Sequence, residues 1–249
     1  MKQVLGGVFS FVLLAVVVLL MAGTGVGMIG AGSGERQMTE APEVPLAELA
    51  AHAGRTVRVR GTVAGQPALQ AAGGEALAFQ AVTITHEESS GVGEDRTEET
   101  VTDYARLAPQ VLVVSDGAAA AGIVPQGIDL RFVPETFSGQ TGRAGELPAA
   151  AASLLPAGVF TELPDRSGAD LSVRAIREGA AVTVHGTVDV VDGQAVLRAP
   201  ADAPFVVSPR PWDEVVSEAG TSGIINLVFG WGLLLGAVAA TFFLLRGWR

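Results

Sequence analysis

The chain has 249 residues, no cysteine, and a formal net charge of −10 from 26 acidic residues against 16 lysines and arginines. Without cysteine, disulfides, thiol catalysis and Cys-ligated zinc or iron–sulfur centres are excluded, and the acidic balance disfavours nucleic-acid binding because phosphate carries the same sign of charge. Arginine replaces lysine almost everywhere, so the composition predicts either a halophilic source, in which salt screens an acidic surface, or a GC-rich genome.

Two apolar runs, Val4–Ala31 and Ile224–Leu245, bracket the polar part of the chain. Each exceeds the roughly 20 residues that a helix needs to cross a hydrocarbon core of about 30 Å, so we expect two transmembrane helices in a lipid bilayer. Lys2 precedes the first run, and Arg246 and Arg249 follow the second. Because basic flanks mark the cytoplasmic side, we expect a two-pass cell-membrane protein with cytoplasmic termini and an extracytoplasmic central domain.

Alternatives remain open for both runs. Small residues at Gly30–Ser33 resemble a signal-peptidase site, so the first run could be a cleaved signal peptide, although its length favours an uncleaved anchor. In the second run, Gly232 and Gly236 have the GxxxG spacing that lets helices pack closely. This spacing predicts contact with the first helix or a homo-oligomer, while glycine is also simply frequent in membrane helices.

The segment between the runs predicts a linker at 32–45 and a β-rich domain at 46–218. A short amphipathic helix at Leu46–His52 opens the domain, and alternating β-branched residues predict strands after it. Strands are expected at Val57–Val63, Leu77–Thr85, Val101–Leu107, Val111–Val114, Ile128–Val133, Val188–Val191, Ala195–Arg198 and Phe205–Val207. We expect a polar, acidic hairpin loop at Glu87–Glu99 and a loop or short helix at Gly139–Pro156. The predicted fold class is mainly β, with one or two small curled-sheet or barrel-like units between two transmembrane α-helices.

A short repeat is the most useful internal signal. Gly54–Val63 and Gly179–Val188 both read G-x-x-V-x-V-x-G-T-V. In each copy an inner glycine, Gly61 or Gly186, interrupts the strand, as happens at a bulge or where another backbone approaches closely. We expect each copy to open a small curled sheet, and chance similarity between two hairpins is the alternative.

The order of segments resembles the GIDE domain, also called the BAM domain, of membrane-anchored E3 ubiquitin ligases and their prokaryotic relatives. The resemblance covers most of the central domain. The segments that carry it are Val57–Val63 (V-R-V-R-G-T-V), Ala76–Glu88, Leu112–Phe132 (with L-V-V-S-D-G and I-V-P-Q-G-I-D-L), Arg177–Gly179 with the second repeat strand, Pro204–Ser208 (P-F-V-V-S) and the acidic turn Trp212–Glu218.

This resemblance implies a β-domain that acts as a partner-binding or regulatory module. In the eukaryotic members a cytosolic RING follows the second helix, whereas here Gly247–Arg249 are the residues that follow it. A RING needs several Cys and His ligands for zinc, and the chain has no cysteine. Ubiquitin-transferase activity is therefore a property of the family that these residues do not support.

No residue stands out as catalytic, cofactor-binding or metal-binding. P-loop, GxGxxG, GxSxG and HExxH patterns are missing from the sequence. Ser115–Gly117 reads as a tight turn rather than as a nucleophile. His86 beside Glu87 and Glu88 could recruit a divalent cation, but a solvated hairpin end is favoured. His185 is expected at the surface, because it takes a polar-facing position on its strand.

The charged clusters and Trp212 do not indicate a catalytic or metal-binding site. The acidic cluster within Glu94–Glu99 lacks the pattern of a calcium loop and reads as solvated charge. Arg58 and Arg60 alternate onto one face of their strand, where they could pair with acids of the same domain or with a lipid headgroup. Trp212 lies just before the second apolar run and could anchor at a membrane interface.

The sequence therefore favours a non-catalytic scaffold or sensor that binds a protein partner or a small ligand, with no cofactor and no metal. Two alternatives stay open. One is a membrane-bound enzyme, either a hydrolase or a ubiquitin-ligase-like transferase, with an unrecognised site. The other is a structural protein of the cell envelope.

Overall fold

The computed structural model describes residues 20, 22–26, 33–34, 36–90, 97–142, 146–156 and 168–247. Contacts divide the chain into a β-rich unit, 41–200 with 204–215, and a terminal unit, 1–40 with 201–203 and 216–249. The strands named below all belong to the β-rich unit.

Strands dominate the described residues. They are β1 (Thr56–Gln66), β2 (Leu69–Gln70), β3 (Ala76–Ser90), β4 (Thr97–Ala108), β5 (Val111–Ser115), β6 (Ala120–Ile123), β7 (Glu135–Gln140), β8 (Asp170–Arg177), β9 (Ala181–Val191), β10 (Gln194–Arg198) and β11 (Val206–Ser208). The helices are α1 (Ala149–Leu154) and α2 (Trp212–Gly247), with short 3₁₀ helices at Leu46–His52 and Leu130–Phe132. The prediction of a mainly β fold is therefore confirmed for this part of the chain.

Five strands close into a small barrel-like sheet. Their order is β1–β5–β6–β10–β9, and β9 pairs back onto β1, while β11 adds to β9 outside the ring. β6 and β10 run parallel, and the other neighbours in the ring are antiparallel. Period-two alternation turns Val57, Val59 and Val63 into the ring, where they are buried. The barrel-like unit predicted from the sequence is confirmed.

A second sheet separates two apolar cores. Its order is β2–β3–β8–β7, and β4 pairs with β3. Phe79 and Ile176 on one face join the core of the closed sheet. Leu77, Val82 and Leu171 lie in the other core, which also contains residues of α1. Because both faces are covered, β3 is apolar over most of its first half.

The two copies of the sequence repeat pair with each other, as β1 and β9. Val59 lies opposite Val184, which is its own counterpart in the repeat. Two equivalent backbone hydrogen bonds follow from this symmetry, from Gly54 N to Val188 O (2.8 Å) and from Gly179 N to Val63 O (2.9 Å). The copies are thus related by a local twofold axis. The expectation that each opens its own sheet is wrong, because both belong to one ring.

The inner glycines of the repeat lie at close approaches, as predicted. A Cβ atom at Gly61 would lie 2.6 Å from the carbonyl oxygen of Ser115. A Cβ atom at Gly186 would lie 2.7 Å from Cε2 of Phe205. Close-packed interiors cannot absorb such contacts without displacing a neighbour, so a side chain at either position would disturb the ring.

The acidic segment Glu87–Glu99 is not a loop throughout. β3 continues to Ser90 and β4 begins at Thr97, so paired strands occupy both sides of the segment. Residues 91–96 lie outside the described residues. The loop prediction underestimated the hairpin because polar residues on solvated strands lack the apolar alternation by which strands are recognised.

The predicted strand at Ile128–Val133 is wrong. This segment contains the 3₁₀ helix Leu130–Phe132. Asp129 starts the turn, because its carboxylate accepts a hydrogen bond from the backbone N–H of Arg131 at 3.1 Å. Such local side-chain bonds compete with strand pairing.

The prediction that the two apolar runs form transmembrane helices needs a correction. Apart from residues 20 and 22–26, Val4–Ala31 lies outside the described residues. Ile224–Leu245 is helical within α2, whose first turn carries Asp213 and Glu214. No helix in the described ranges is long and apolar enough to cross a membrane. The prediction of two transmembrane helices flanking the β-rich domain is therefore wrong.

Within the terminal unit, residues 22–26 approach α2 at Gly25, whereas the sequence predicted close packing at Gly232 and Gly236. A Cβ atom at Gly25 would lie 2.8 Å from the carbonyl oxygen of Gly230. Apart from the neighbouring backbone of α2 itself, no heavy atom of the described residues lies within 4 Å of the Cβ position of Gly232. The homo-oligomer expected through Gly232 and Gly236 stays a prediction.

Candidate ligand-binding cavity

A β-bulge decides which face of the second sheet carries Gln80. The register of β3 against β8 shifts between Leu77 and Phe79. As a result Ala78 and Phe79 both join the core of the closed sheet, while Leu77 and Val82 lie in the core beside α1. Gln80 follows the bulge and therefore falls on the α1 side. Bulges commonly re-aim a side chain in this way.

The Gln80 amide has one satisfied and one unsatisfied end. The residue is 0% exposed, and its Nε2 donates a hydrogen bond to the carbonyl oxygen of Leu154 in α1 at 2.8 Å. Because a carbonyl oxygen accepts and never donates, this bond fixes which end of the amide is nitrogen. Oε1 is buried and has no hydrogen-bond partner among the described protein atoms. The bond to α1 thus fixes the orientation of the amide, and Oε1 is enclosed by protein.

Gln80 lines a cavity of about 270 Å³ beside the second sheet. Most of the wall is apolar and comes from β3, β8, α1 and the turn that leads into β9. The lining residues are Glu75, Leu77, Gln80, Pro134, Thr136, Leu154, Ala175, Ile176, Arg177, Ala180 and Pro209. An apolar concavity with a few polar groups is the usual form of a small-molecule site.

The charges in the cavity wall offset each other. Glu75 and Arg177 form an ion pair, and the Arg177 side chain is 79% exposed, which places the pair at the solvent side. The Thr136 hydroxyl donates to the carbonyl oxygen of Val173 at 2.9 Å, so it has no hydrogen left to donate into the cavity. The cavity therefore presents apolar surface and hydrogen-bond acceptors rather than a net charge.

Ser115–Gly117 forms the tight turn predicted for it, between β5 and β6. The Asp116 carboxylate accepts hydrogen bonds from the N–H groups of Ala118 (2.9 Å) and Ala119 (2.8 Å). These backbone bonds, that from Ala119 first, lower the pKa of Asp116 below its usual 3.8. The Ser115 hydroxyl donates to the Ala119 carbonyl at 3.1 Å. The Ser115 hydroxyl therefore stabilises the turn.

His185 is buried, so its expected surface position is wrong. Its exposed fraction is 0%, because β11 pairs with β9 on the outside of the ring and sets Val206 opposite it. Nδ1 lies 2.8 Å from the carbonyl oxygen of Pro204 and therefore carries the proton. Nε2 is buried without a partner among the described atoms. Burial lowers the pKa of His185 below 6.5, opposed by the Pro204 bond and assisted by the Arg58 charge.

Trp212 packs between two side chains of the β-rich unit. Its ring lies 6.1 Å from the His185 ring, between centroids, and the Arg58 guanidinium carbon lies 5.2 Å from its centroid. Arg58 and Arg60 also pair with Glu43, at 2.8 Å and 3.2 Å. Of the two partners predicted for these arginines, an acid of the same domain or a lipid headgroup, the structure shows an acid of the β-rich unit, although Glu43 lies in the segment predicted as a linker. The cluster joins the start of α2 to the closed sheet and is apolar and cationic rather than reactive.

The remaining sequence candidates lie apart from the cavity wall. His86 Nε2 lies 2.8 Å from Glu88 Oε1 on β3, and Glu94 and Asp95 lie outside the described residues. No group of three or more His, Asp or Glu residues within the described ranges could hold a metal ion. None of the residues considered for chemistry in the sequence lines the cavity.

Sequence reasoning missed Gln80, although the sequence carries a signal for it. The residue is the one uncharged amide in the apolar stretch Ala76–Ile84, and a polar side chain amid core positions is more informative than an apolar one. No protein-family model, curated protein or solved structure matches this chain, so the resemblance to the GIDE domain stays a prediction.

Proposed function

We propose that the β-rich unit is a non-catalytic binding module whose cavity takes a small, neutral, mainly apolar molecule. The observation that carries this proposal is the cavity of about 270 Å³ with Gln80 in its wall. The proposal concerns the β-rich unit alone and does not depend on a membrane-spanning helix.

The chemistry of the wall supports binding rather than turnover. Gln80 does not titrate, and the Thr136 hydroxyl hydrogen is engaged by the Val173 carbonyl. Glu75 is paired with Arg177. Nucleophilic catalysis needs a nucleophile with a base within hydrogen-bond reach, and general acid–base catalysis needs a titratable side chain that is free to exchange a proton with the ligand. The described wall supplies neither.

The size of the cavity supports a ligand of one or two rings. An apolar cavity of about 150 Å³ is enough to hold benzene, and this one measures about 270 Å³. Ligands of roughly ten non-hydrogen atoms that fill such a cavity reach dissociation constants on the order of 1 mM or below.

Ligand-observed NMR on the full-length chain tests the proposal with a panel of neutral one-ring and two-ring fragments, including indole. Ala180→Leu places a branched side chain in the cavity wall, and Ala180 is only partly buried. Ala120→Leu, at an exposed position of β6 outside the wall, is the matched control.

We expect saturable binding by the wild type and by Ala120→Leu, and at least a tenfold loss with Ala180→Leu. Equal binding by all three proteins would refute the cavity as the binding site. Absence of saturable binding across the panel would refute the proposed function itself.

A further inference from the structure

We infer that one face of α2 packs against the same face of a second copy of this chain, which forms a twofold-symmetric helix pair. The inference goes beyond the proposed function, because it concerns α2 and not the cavity. Large apolar side chains make up this face, and about half or more of each is exposed. The exposed face of α2 consists of Ile224, Ile225, Val228, Phe229, Trp231, Leu235 and Val238, which are 49–66% exposed.

The exposed face of α2 has the spacing of a helix–helix contact. Alternating steps of four and three positions separate Ile224, Val228, Trp231, Leu235 and Val238. This spacing is typical of coiled coils, in which side chains of one helix enter the gaps between side chains of another. Gly232, four positions after Val228 and three before Leu235, lies on the same face. Since Gly232 carries no side chain and is exposed, the backbone of a partner helix can approach closely there.

Residues of the same chain pack on another side of α2. The Cβ position of Gly25 lies 3.3 Å from the side chain of Leu233 and 3.1 Å from that of Leu234. Gly230, whose carbonyl oxygen Gly25 approaches, is buried, and so is Ala237. Because Gly230 and Ala237 are seven positions apart, they share one side of the helix. Among the described residues, contact within the chain therefore uses this side and leaves the exposed face of α2 uncovered.

The area of the exposed face of α2 is close to what a stable dimer needs. With roughly 100 Å² exposed per side chain, its seven large apolar residues present on the order of 700 Å² of apolar surface. Monomeric proteins rarely expose a contiguous apolar patch larger than a few hundred Å². A stable interface buries about 800 Å² on each partner. A second helix of the same kind would therefore cover a surface of the expected size.

The chemistry of the exposed face favours a second copy as its occupant. The stretch Ala219–Leu245 has no ionisable side chain, so charge complementarity cannot select a different protein. In a twofold pair the same residues lie on both sides of the interface, so the alternating steps of four and three match themselves. Two copies can thus recognise each other by shape and apolar burial alone.

Sedimentation velocity on the full-length chain tests the inference over about a hundredfold range of concentration. Val228→Glu puts a charge on the exposed face, and pairing would bury that charge in both copies. Because Val228 is 65% exposed, the substitution leaves the packing of a single chain unchanged, which circular dichroism checks. Val190→Glu is the matched control, at a 40% exposed position of β9.

A single cysteine gives a second measurement that does not depend on a charged variant. The chain has no cysteine of its own. Trp231 is the middle one of the five regularly spaced residues, so a twofold pair brings the two copies of this position together whether the helices run parallel or antiparallel. Mild oxidation of Trp231→Cys should therefore join two chains by a disulfide, whereas Val190→Cys should stay unlinked.

The outcomes separate the possible occupants of the exposed face. A dimer for the wild type and Val190→Glu, with at least a hundredfold higher dissociation constant for Val228→Glu, supports the inference. A monomeric wild type, or three proteins that associate equally, overturns it. Flotation with phosphatidylcholine vesicles tests lipid as the occupant: a monomeric wild type that floats, with loss of flotation in Val228→Glu, overturns the helix pair. None of these results affects the cavity or its ligand.

Discussion

His185 makes the stability of the β-rich unit depend on pH. The imidazole is 0% exposed, and its protonated Nδ1 donates to the Pro204 carbonyl at 2.8 Å. A second proton on Nε2 would have no acceptor among the described atoms and would lie near the positive Arg58. These features lower the folded-state pKa of His185 below 6.5, so the folded state holds this proton less tightly than the unfolded chain does.

The sign and the magnitude follow from proton linkage. Because the folded pKa is lowered, the unfolded state binds more protons as the pH falls below about 6.5, and the free energy of unfolding decreases. Above that pH both states are neutral at this residue, and it contributes no pH dependence. One proton difference is worth about 1.4 kcal/mol per pH unit. Between pH 7.5 and 5.5 the unfolded histidine goes from about one-tenth to about nine-tenths protonated. The free energy of unfolding therefore falls by at most about 1 kcal/mol over this range, the limit being reached when the folded imidazole stays neutral throughout.

Urea unfolding followed by circular dichroism, at several pH values from 7.5 to 5.5, measures this effect. His185→Asn can keep a donor close to the position of Nδ1 but does not titrate, so its free energy of unfolding should fall less than that of the wild type, by up to about 1 kcal/mol over the range. His185→Ala loses the hydrogen bond as well, and we expect lower stability at every pH with the same shallow slope. Wild-type and His185→Asn curves that run parallel would refute the reasoning.

Two further predictions concern the ring and its turn. Gly61→Ala should lower the free energy of unfolding by about 1–3 kcal/mol, because its Cβ would lie 2.6 Å from Ser115 O; urea unfolding measures the loss. Asp116→Ala should destabilise the protein by less, since it removes the acceptor of two backbone bonds in an exposed turn. The lowered pKa of Asp116 places this contribution above pH 3.8, and it should disappear as the pH falls through the folded-state pKa.

Matched controls sharpen both measurements. Gly220 lies in α2, and among the described residues only the backbone of its own helix comes within 4 Å of its Cβ position. Gly220→Ala should therefore be neutral or stabilising through helix propensity. An equal loss for Gly61→Ala and Gly220→Ala would mean that the close approach does not limit the ring. For Asp116, a difference from Asp116→Ala that persists unchanged at pH 2 would contradict the role of the carboxylate.

The sequence was most informative where local chemistry decides the structure. Alternating valines located β1, and the repeat marked strands that turn out to pair with each other. The sequence could not show that pairing, since partners more than 100 residues apart are chosen by the whole fold. It also misplaced His185, because β11 covers a position that is polar-facing on its own strand.

The candidate site was hidden for a related reason. Simple alternation from Leu77 would place Phe79 on the same face and Gln80 on the opposite one, whereas the bulge sends Phe79 into the core of the closed sheet. A shift of one residue moves every later side chain to the other face. The polar residue was visible in the sequence, but the cavity it lines depends on a register shift that pairing with β8 reveals.

A substitution of Gln80 itself decides whether the glutamine serves folding. The bond from Nε2 to Leu154 O at 2.8 Å contributes about 0.5–1.5 kcal/mol, whereas a buried acceptor without a partner costs about 1–3 kcal/mol. Without ligand, Gln80→Met loses the bond but also the unsatisfied acceptor, so we expect the free energy of unfolding to stay within about 1 kcal/mol of the wild type. Urea unfolding of both proteins measures the difference. A loss above about 2 kcal/mol would refute this balance, because the amide would then contribute more to folding than its unsatisfied oxygen costs.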